Sequence, residues 1–175
     1  MSRRVLLTGA SGFVGANVLA WLLEATDWHF VCPVSFRHRG HPARLAPIVD
    51  RWGDEVEIVR CDLTGRVPDE IGECDVVLHL ASESHVDRSI AEPVNFVENN
   101  VAATLQMLEW ARRHPPEVFV QFSTDEVWGA GRLGEFRPSN PYAASKAAQE
   151  MLGCAWRATY GVPVVVTNTN NVIGP

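Results

Sequence analysis

A tyrosine and a lysine stand four positions apart in the segment YAASK, which covers residues 142–146. On a helix, residues with this spacing share one face, so the ammonium group of Lys146 can lie near the phenol of Tyr142. A nearby positive charge favours the ionised phenol and lowers its pKa. We therefore expect Tyr142 to accept the proton of an alcohol while a hydride leaves the same carbon.

Two adjacent acids, Asp125 and Glu126, follow Ser123 and Thr124 at the end of an apolar run that predicts a strand. Adjacent carboxyl groups can take opposite protonation states when burial or mutual repulsion separates their pKa values. In a generic chain such a pair is more often two solvated loop acids. Here it follows the carboxyl end of a predicted parallel strand, where doubly wound sheets bind ligands, and this position favours acid and base chemistry.

A glycine-rich segment, TGASGFVG, covers residues 8–15 between the first predicted strand and the first predicted helix. Gly9 would allow a tight turn, Gly12 would let a pyrophosphate approach the amides of the helix N-terminus, and Gly15 would permit close packing of the helix. The alternative is an ordinary glycine-rich turn between a strand and a helix. Position and spacing together favour a dinucleotide site.

The loop after the second predicted strand bears on the choice of cofactor. In dinucleotide-binding units an acid about 20 residues beyond the glycines usually holds the adenosine ribose. Here the strand ends at Ser35, and Arg37 and Arg39 follow with no acid among them. Guanidinium groups suit a 2′-phosphate, so the sequence favours NADP over NAD, although a solvated basic loop would fit either. Asp62, after the third predicted strand, is a candidate contact to the adenine or an ordinary turn residue.

Short β-branched runs alternate with longer amphipathic segments along the chain. Six runs predict strands, at 4–8, 30–35, 56–60, 75–80, 118–123 and 162–168. Four segments predict helices, at 12–24, 42–50, 93–113 and 141–160, and the last two open with proline. This alternation predicts an α/β fold, a doubly wound parallel sheet of about six strands with helices on both faces. No linker divides the chain, so residues 1–175 form one predicted domain.

Composition narrows the range of partners. A net charge of −6 and a pI near 5.5 argue against non-specific binding to nucleic acid or to an anionic membrane. No apolar run could span a bilayer and no leader segment precedes the first strand, so we expect a cytoplasmic protein. His79 and His85 lack partners at ligand spacing, and we expect no metal site. The cysteines show neither disulfide nor zinc spacing and are expected to be buried free thiols: Cys32, Cys61, Cys74 and Cys154.

Taken in order, these motifs resemble those of the extended short-chain dehydrogenase/reductase family, and within it most closely those of the dTDP-glucose 4,6-dehydratases. The Tyr-x-x-x-Lys element is shared by the whole superfamily. The Thr-Asp-Glu triplet at 124–126 and the segment ESHVDRS at 83–89 are typical of the dehydratase branch. Further matching segments are 8–15, 79–82, 100–101, 127–129, 138–146 and 168–175. The resemblance implies a Rossmann domain that binds NAD(P) and a nucleotide-diphosphate sugar substrate.

The resemblance also implies a role for each residue of the acid and base set. Tyr142 would take the proton of the sugar C4 hydroxyl during oxidation, helped by Thr124, while Lys146 would lower the phenol pKa and bind the nicotinamide ribose. Glu126 would then remove the C5 proton, and Asp125 would protonate the departing C6 hydroxyl. The hydride would return to C6. Further implied cofactor contacts are Ser11, Phe13, Val14, Leu63, Leu80, Ala81, Ser82, Asn100 and Ser123, and implied substrate contacts are Ser84, Thr124 and Asn171.

The sequence departs from this family in several places. Trp128 and Val172 stand where tyrosines are usual, and the chain ends at Pro175, where the family would enter its substrate domain. We therefore expect the substrate domain to be absent or truncated, or to be supplied by a second chain. Two other functions stay open: a nucleotide-sugar 4-epimerase or ketoreductase on the same scaffold, and a non-catalytic NAD(P)-binding module. The two long helices imply a homodimer, as in the family.

Overall fold

Six strands form one sheet in the computed structural model, which describes residues 2–37 and 40–174. Each strand lies within two residues of its predicted bounds, and neighbouring strands are parallel. The strands are β1 (Arg4–Thr8), β2 (His29–Val34), β3 (Val56–Arg60), β4 (Val76–His79), β5 (Val118–Thr124) and β6 (Val164–Thr169). Their order in the sheet is β3-β2-β1-β4-β5-β6. The predicted doubly wound parallel sheet is confirmed.

Within the described residues, five α-helices connect these strands: α1 (Phe13–Ala25), α2 (Pro42–Trp52), α3 (Val86–Ala91), α4 (Pro93–Arg113) and α5 (Pro141–Tyr160). The sequence predicted all of them except α3, whose six residues are too few to show a helical period. Proline opens α4 and α5 within their first turn, where its missing N–H leaves no helical hydrogen bond unmade. A short 3₁₀ helix, Asp125–Trp128, follows β5 directly.

Helices cover both faces of the sheet because side chains alternate between the two faces along each strand. Val5 and Leu7 of β1 belong to a buried cluster with residues of α1 and α2. Leu6, between them, belongs to the opposite cluster with residues of α4, and α5 packs along the same side. All three side chains are fully buried.

The strand order reverses between β1 and β4, since the chain builds β2 and β3 on one side of β1 and then crosses to β4 on the other. In such sheets the crevice at this switch point, outside the carboxyl ends of the strands, receives ligands. Among the described residues, no helix is both long enough and apolar enough to cross a membrane. The expectation of four buried thiols is wrong for Cys154, which is exposed on α5, because only one side of that helix packs against the protein.

Candidate active site

A cavity of about 610 Å³ opens at the carboxyl ends of the strands. It is lined by the glycine-rich turn, by the ends of β2, β3 and β4, by the segment after β4, and by the ends of β5 and β6. Nineteen of the predicted site residues line it: Gly9, Ser11, Gly12, Phe13, Val14, Gly15, Ser35, Arg37, Asp62, Leu63, Leu80, Ala81, Ser82, Ser84, Ser123, Thr124, Glu126, Tyr142 and Asn171. The fold thus gathers segments that are as much as 160 residues apart in the chain, since Ser11 and Asn171 share one cavity.

The glycine-rich turn is packed too closely for larger residues at two positions. Gly9 has φ +78°, and a Cβ atom there would lie 2.9 Å from the backbone nitrogen of Ala81. A Cβ atom at Gly15 would lie 2.1 Å from the carbonyl oxygen of Gly9. The turn therefore depends on glycine for its left-handed backbone at the first position and for helix contact at the second.

The N-terminus of α1 faces this cavity through the backbone of Gly12, Phe13, Val14 and Gly15. No side chain caps the helix, and its first turn carries no acid. The first amide groups of a helix lack intrahelical acceptors and attract anions together with the helix dipole. An uncapped helix end, open toward a cavity beside a tight glycine turn, fits the pyrophosphate of a dinucleotide.

The loop after β2 places Arg37 against Asp62, which follows β3, and the two form a salt bridge. Burial works against ionisation of Asp62, but hydrogen bonds from Thr64 and from Arg37 hold its pKa below the ordinary value. Ser35 accepts a hydrogen bond from the Arg37 backbone amide at 3.3 Å. Arg37, the predicted contact to a 2′-phosphate, is thus paired with Asp62, the predicted contact to the adenine. Arg39, the remaining residue predicted here, lies outside the described residues.

Tyr142 lies on the first turn of α5 and is buried at the wall of the cavity. Burial raises the pKa of its phenol, and the carboxylates of Glu126 and Asp125 raise it further, whereas a hydrogen bond with Thr124 lowers it. The expectation that the phenol pKa of Tyr142 is lowered by Lys146 is wrong in this state of the protein. The net shift is upward, and the interactions that set it are desolvation, the two carboxylates and the hydrogen bond with Thr124.

Lys146 lies one helical turn beyond Tyr142 and only 5% of it is exposed. Its ammonium group donates a hydrogen bond to the carbonyl oxygen of Phe122 at the end of β5. Burial lowers the pKa of Lys146 to about 8, and the nearby carboxylate of Glu150 acts in the opposite direction. Lys146 does not line the cavity, so the structure places it directly behind the wall that Tyr142 forms.

The two acids after β5 take different positions. Glu126 lines the cavity, and its carboxylate accepts a hydrogen bond of 3.0 Å from the side-chain amide of Asn140, the N-cap of α5. Asp125 is half-buried outside the cavity lining, and its carboxylate accepts a hydrogen bond of 3.3 Å from the Thr124 hydroxyl. The structure therefore brings Glu126 to the cavity and leaves Asp125 one layer behind.

Asn100 of α4 is fully buried and is also absent from the cavity lining. Its side chain accepts a hydrogen bond from the backbone amide of Glu83 and donates to the carbonyl of Glu83 and to Ser145. Gln149 of α5 donates to the backbone carbonyl of Asn100 at 3.0 Å. Asn100 thus holds the segment after β4 against α5, and it does not reach the cavity in which the implied cofactor contact would be made.

His79 at the end of β4 links three elements in the interior. Its ring is within hydrogen-bond distance of Thr8 of β1, at 2.9 Å, and of Thr104 of α4, at 3.0 Å. Thr8 also accepts a hydrogen bond from the backbone amide of Ala81. Burial lowers the pKa of His79 to about 3, and the charge of Lys146 acts in the same direction. The ring is therefore neutral and ties the base of the glycine turn to α4.

Several polar residues at or near the site carried no prediction. The cavity wall includes Arg44, Glu83, His85 and Asn99. Glu150, buried four residues after Lys146, was missed although the i, i+4 spacing that links Tyr142 to Lys146 repeats once more. Within residues 2–37 and 40–174, no group of three His, Cys, Asp or Glu side chains is arranged to hold a metal ion.

The chain is similar in sequence and in fold to nucleotide-sugar dehydratases and epimerases. A dTDP-glucose 4,6-dehydratase from Mycolicibacterium smegmatis is 37% identical over 184 residues, which cover 98% of this chain and 54% of that protein. The crystal structure of DesIV, a dTDP-glucose 4,6-dehydratase from Streptomyces venezuelae with NAD bound, superposes with a TM-score of 0.83 at 33% identity, covering 94% of this chain and 55% of DesIV. A UDP-galactose 4-epimerase structure gives a TM-score of 0.85 at 28% identity, covering 98% and 57%. The chain spans about half the length of the curated relatives it matches.

A family model gives a further comparison. The model of the NAD-dependent epimerase/dehydratase family matches residues 5–175, a range that contains the glycine turn, the acid pair and the Tyr-x-x-x-Lys element. Together with relatives more than 30% identical over nearly the whole chain, this match shows that the chain belongs to the NAD-dependent epimerase/dehydratase family.

Proposed function

We propose that this chain forms the dinucleotide-binding part of a nucleotide-sugar 4,6-dehydratase. The observation that carries the proposal is that Thr124, Glu126 and Tyr142 line the same cavity as the glycine-rich turn. A cofactor on the turn and a sugar at the acid and base set would then meet in one enclosed space. The dehydratase relatives, which are 34–37% identical, support this choice within the family.

In the first step, a bound nicotinamide cofactor supplies the hydride acceptor for oxidation of the sugar at C4 and later returns the hydride to C6. Tyr142 takes the proton of the C4 hydroxyl, and the Thr124 hydroxyl, already hydrogen-bonded to the phenol, steadies the same oxygen. Lys146 contributes its positive charge from outside the cavity lining, and the ribose contact that the family resemblance implies for it would require its ammonium to turn from the carbonyl of Phe122 toward the cavity. A base with these partners lies where the proton must be removed.

In the second step, a ketone at C4 makes the C5 proton acidic, and Glu126 removes it. When the hydride returns to C6, Glu126, after exchange with solvent, returns a proton to C5 and so completes the reduction. Asn140 holds the Glu126 carboxylate at 3.0 Å, which fixes one oxygen and leaves the other to act as base. Asp125 gives its proton to the departing C6 hydroxyl, which leaves as water. Because Asp125 lies outside the cavity lining, its side chain has to rotate toward the sugar to do so.

We propose NADP(H) as the preferred cofactor, on the evidence of the loop after β2. Ser35 and Arg37 line the cavity there, and the charge of Arg37 faces Asp62 across a surface where both side chains are about half exposed. A 2′-phosphate would compete with Asp62 for the same guanidinium. The structure of DesIV contains NAD, so cofactor preference is a property in which this chain would differ from that relative.

A second candidate function is 4-epimerisation or ketoreduction, which needs Tyr142 and Lys146 but neither acid. The position of Asp125 outside the cavity lining favours it, and so does the similarity to a UDP-galactose 4-epimerase. In either case we propose that a substrate domain, within the same longer protein or on a second chain, binds the nucleotide. A third possibility, a non-catalytic NAD(P)-binding module, would use the glycine turn alone.

We also propose a homodimer through α4 and α5. These helices pack against each other and expose apolar side chains on their outer surface: Val94, Val97 and Met151. Apolar side chains on two adjacent helices favour burial against a second copy. A location in the cytoplasm stays a prediction from the sequence.

The test begins with binding and ends with chemistry. The purified chain is titrated with NAD⁺ and NADP⁺, and then incubated with dTDP-glucose and each cofactor in deuterated water, with products analysed by mass spectrometry. We expect both cofactors to bind to this chain alone and, once the proposed substrate domain is supplied, a product that has lost water and gained deuterium at C5. A chain that binds neither NAD⁺ nor NADP⁺ would refute the proposal. Reduced cofactor or a new epimer, without loss of water, would instead favour epimerisation or ketoreduction.

The variant Glu126→Gln distinguishes the dehydratase from the alternatives. It should abolish deuterium exchange at C5 while leaving oxidation at C4, because only the elimination needs this carboxylate. Glu70→Gln removes the same charge from an exposed residue that does not line the cavity and serves as the matched control. Unchanged deuterium exchange in Glu126→Gln would exclude Glu126 as the base.

A further inference from the structure

Glu150 is a buried acid on the side of α5 that carries Tyr142 and Lys146. Only 7% of it is exposed, and it lies one helical turn beyond Lys146, as Lys146 lies one turn beyond Tyr142. The proposed reaction gives it no task, because it does not line the cavity. Burial of a carboxylate is costly unless hydrogen bonds and an opposite charge compensate it, so its surroundings are informative.

The Glu150 carboxylate is held by the two strands beneath it. Two hydrogen bonds reach the same carboxylate oxygen, Oε1. The hydroxyl of Ser123 donates one, and the side-chain amide of Asn168 donates the other, of 2.6 Å. Ser123 and Asn168 are register partners in β5 and β6, so both donors come from a single rung of the sheet. Asn168 also donates to the carbonyl oxygen of Thr124 at 3.1 Å. The acid is therefore fixed to the backbone that carries Thr124.

Within the described residues, Lys146 is the positive side chain that α5 contributes to this buried region, and the segment after β4 adds the buried Glu83, which pairs with Arg88 of α3. On α5 the groups are Tyr142 and Glu150, on β4 the neutral His79, and after β5 Asp125 and Glu126. The residues of α4 and β6 that face this region in the hydrogen-bond network are neutral: Asn100, Thr104 and Asn168. Burial favours the uncharged amine, and Glu150 is the charge that acts against that effect.

We infer that Glu150 is a positioning residue that keeps Lys146 charged and fixed behind Tyr142, with Ser123 and Asn168 holding its carboxylate in place. The Lys146 ammonium is then held in place by its hydrogen bond to the carbonyl of Phe122, and the Glu150 charge acts on it through space. The use that catalysis makes of this charge rests on the proposed function, whereas the charge itself can be measured in the unliganded protein.

The sequence makes that measurement unusually direct, because Lys146 is the only lysine in the 175 residues, all other basic side chains being arginine or histidine. Protein labelled with lysine carrying ¹³C at Cε gives one lysine signal, and the pH titration of that signal reports the protonation of Lys146. We expect the titration midpoint of Glu150→Gln to lie below that of the wild-type chain by roughly one pH unit, the smaller end of the effect of an opposite charge at close range. The glutamine keeps an oxygen that Ser123 and Asn168 can bond.

Two further variants separate charge from structure. Glu150→Asp keeps the charge and should keep most of the wild-type midpoint, even if the shorter side chain lowers stability. Glu70→Gln changes the net charge of the chain by the same amount at an exposed site and should leave the midpoint unchanged. An unshifted midpoint in folded Glu150→Gln, or equal shifts in the Asp and Gln variants, would overturn the inference. If Glu150→Gln does not fold, a midpoint in Glu150→Asp more than about one unit below wild type would overturn it as well.

This result does not depend on whether the proposed reaction is right. A chain that binds no nucleotide sugar still reports the charge of Lys146, so failure of the proposed function and failure of this inference give different observations. Where turnover is measurable, Glu150→Gln should lose activity first at the alkaline end of the pH profile, and Glu150→Asp should restore that limb.

Discussion

The hydroxyl of Thr124 is hydrogen-bonded to the phenol of Tyr142, and this bond is the one identified interaction that lowers the phenol pKa against burial and two neighbouring carboxylates. In the unliganded chain the phenol is therefore protonated at neutral pH. Ionisation at working pH then needs further stabilisation of the phenolate, beyond the hydrogen bond from Thr124. The site is poised to respond to cofactor binding, since Tyr142 lines the cavity that the glycine turn also lines.

We predict that Thr124→Val raises the titration midpoint of Tyr142 above its already raised wild-type value, because the variant removes the hydrogen bond that stabilises the phenolate. Protein labelled at the tyrosine Cζ atoms shows two signals in an NMR titration, since the chain has two tyrosines. Tyr160→Phe assigns them. Thr159→Val, at an exposed position of α5, is the control, and a Tyr142 midpoint that does not rise in Thr124→Val would contradict the assignment.

Substitution of Gly15 should lower both the stability of the protein and its affinity for a dinucleotide. A Cβ atom at Gly15 would lie 2.1 Å from the Gly9 carbonyl oxygen, so Gly15→Ala must displace the turn from the helix. We expect a loss of about 1–3 kcal/mol in the free energy of unfolding, typical of overpacking, and loss of dinucleotide binding. Denaturant unfolding and cofactor fluorescence measure the two effects. Gly65→Ala, whose Cβ atom would meet only an ordinary contact at 3.5 Å, should be near neutral in both.

The sequence was sufficient to predict a parallel sheet of six strands because the strands are apolar runs bounded by clear turns, whereas the order of the strands in the sheet came only from the structure. The sequence did not predict α3, because a helix of six residues is too short to show the helical repeat of apolar residues. Tyr142 and Glu126 both line the cavity, as expected for residues at the start of a helix and just after the carboxyl end of a strand. Their electrostatics did not follow from spacing: whether an ammonium or a carboxylate dominates Tyr142 depends on burial, which a linear pattern does not contain.

Pairing between distant side chains was likewise beyond the sequence. Arg37 and Asp62 were separate candidates for two parts of a cofactor, and only the fold brings the ends of β2 and β3 close enough for them to form a salt bridge. Glu150 could have been found, because it repeats the spacing of four that first drew attention to Tyr142 and Lys146. What no spacing reveals is that Ser123 and Asn168 meet its carboxylate from one rung of the sheet.

Arg37 provides the test of cofactor preference. We expect Arg37→Ala to weaken NADP⁺ binding by roughly tenfold, about 1.4 kcal/mol, and to weaken NAD⁺ binding much less, since only NADP⁺ carries the phosphate. Calorimetric titration with both cofactors measures the difference. Arg132→Ala, which removes a positive charge away from the cavity lining, controls for long-range attraction. Equal losses for the two cofactors would remove the phosphate assignment and leave NAD as the simpler choice.

His79 should make stability depend on pH in the acid range. Its pKa is about 3 in the folded chain against an ordinary value of 6.5, so the unfolded chain binds more protons between these values. The neutral ring therefore contributes stability that is complete above about pH 6.5 and declines as the pH falls toward 3. We predict that His79→Gln, which cannot take up a proton, flattens the dependence of the unfolding free energy on pH between about 4 and 7.

His79→Ala should differ from His79→Gln at neutral pH, because it leaves Thr8 and Thr104 without the ring and opens a cavity in the core. We expect it to cost about 3 kcal/mol or more in unfolding free energy at pH 7.5, measured by urea titration. His29→Gln, at an exposed strand end, should keep the wild-type slope with pH. A slope in His79→Gln equal to that of the wild-type chain would mean that the acid sensitivity arises from other groups, and that folding does not lower the pKa of His79.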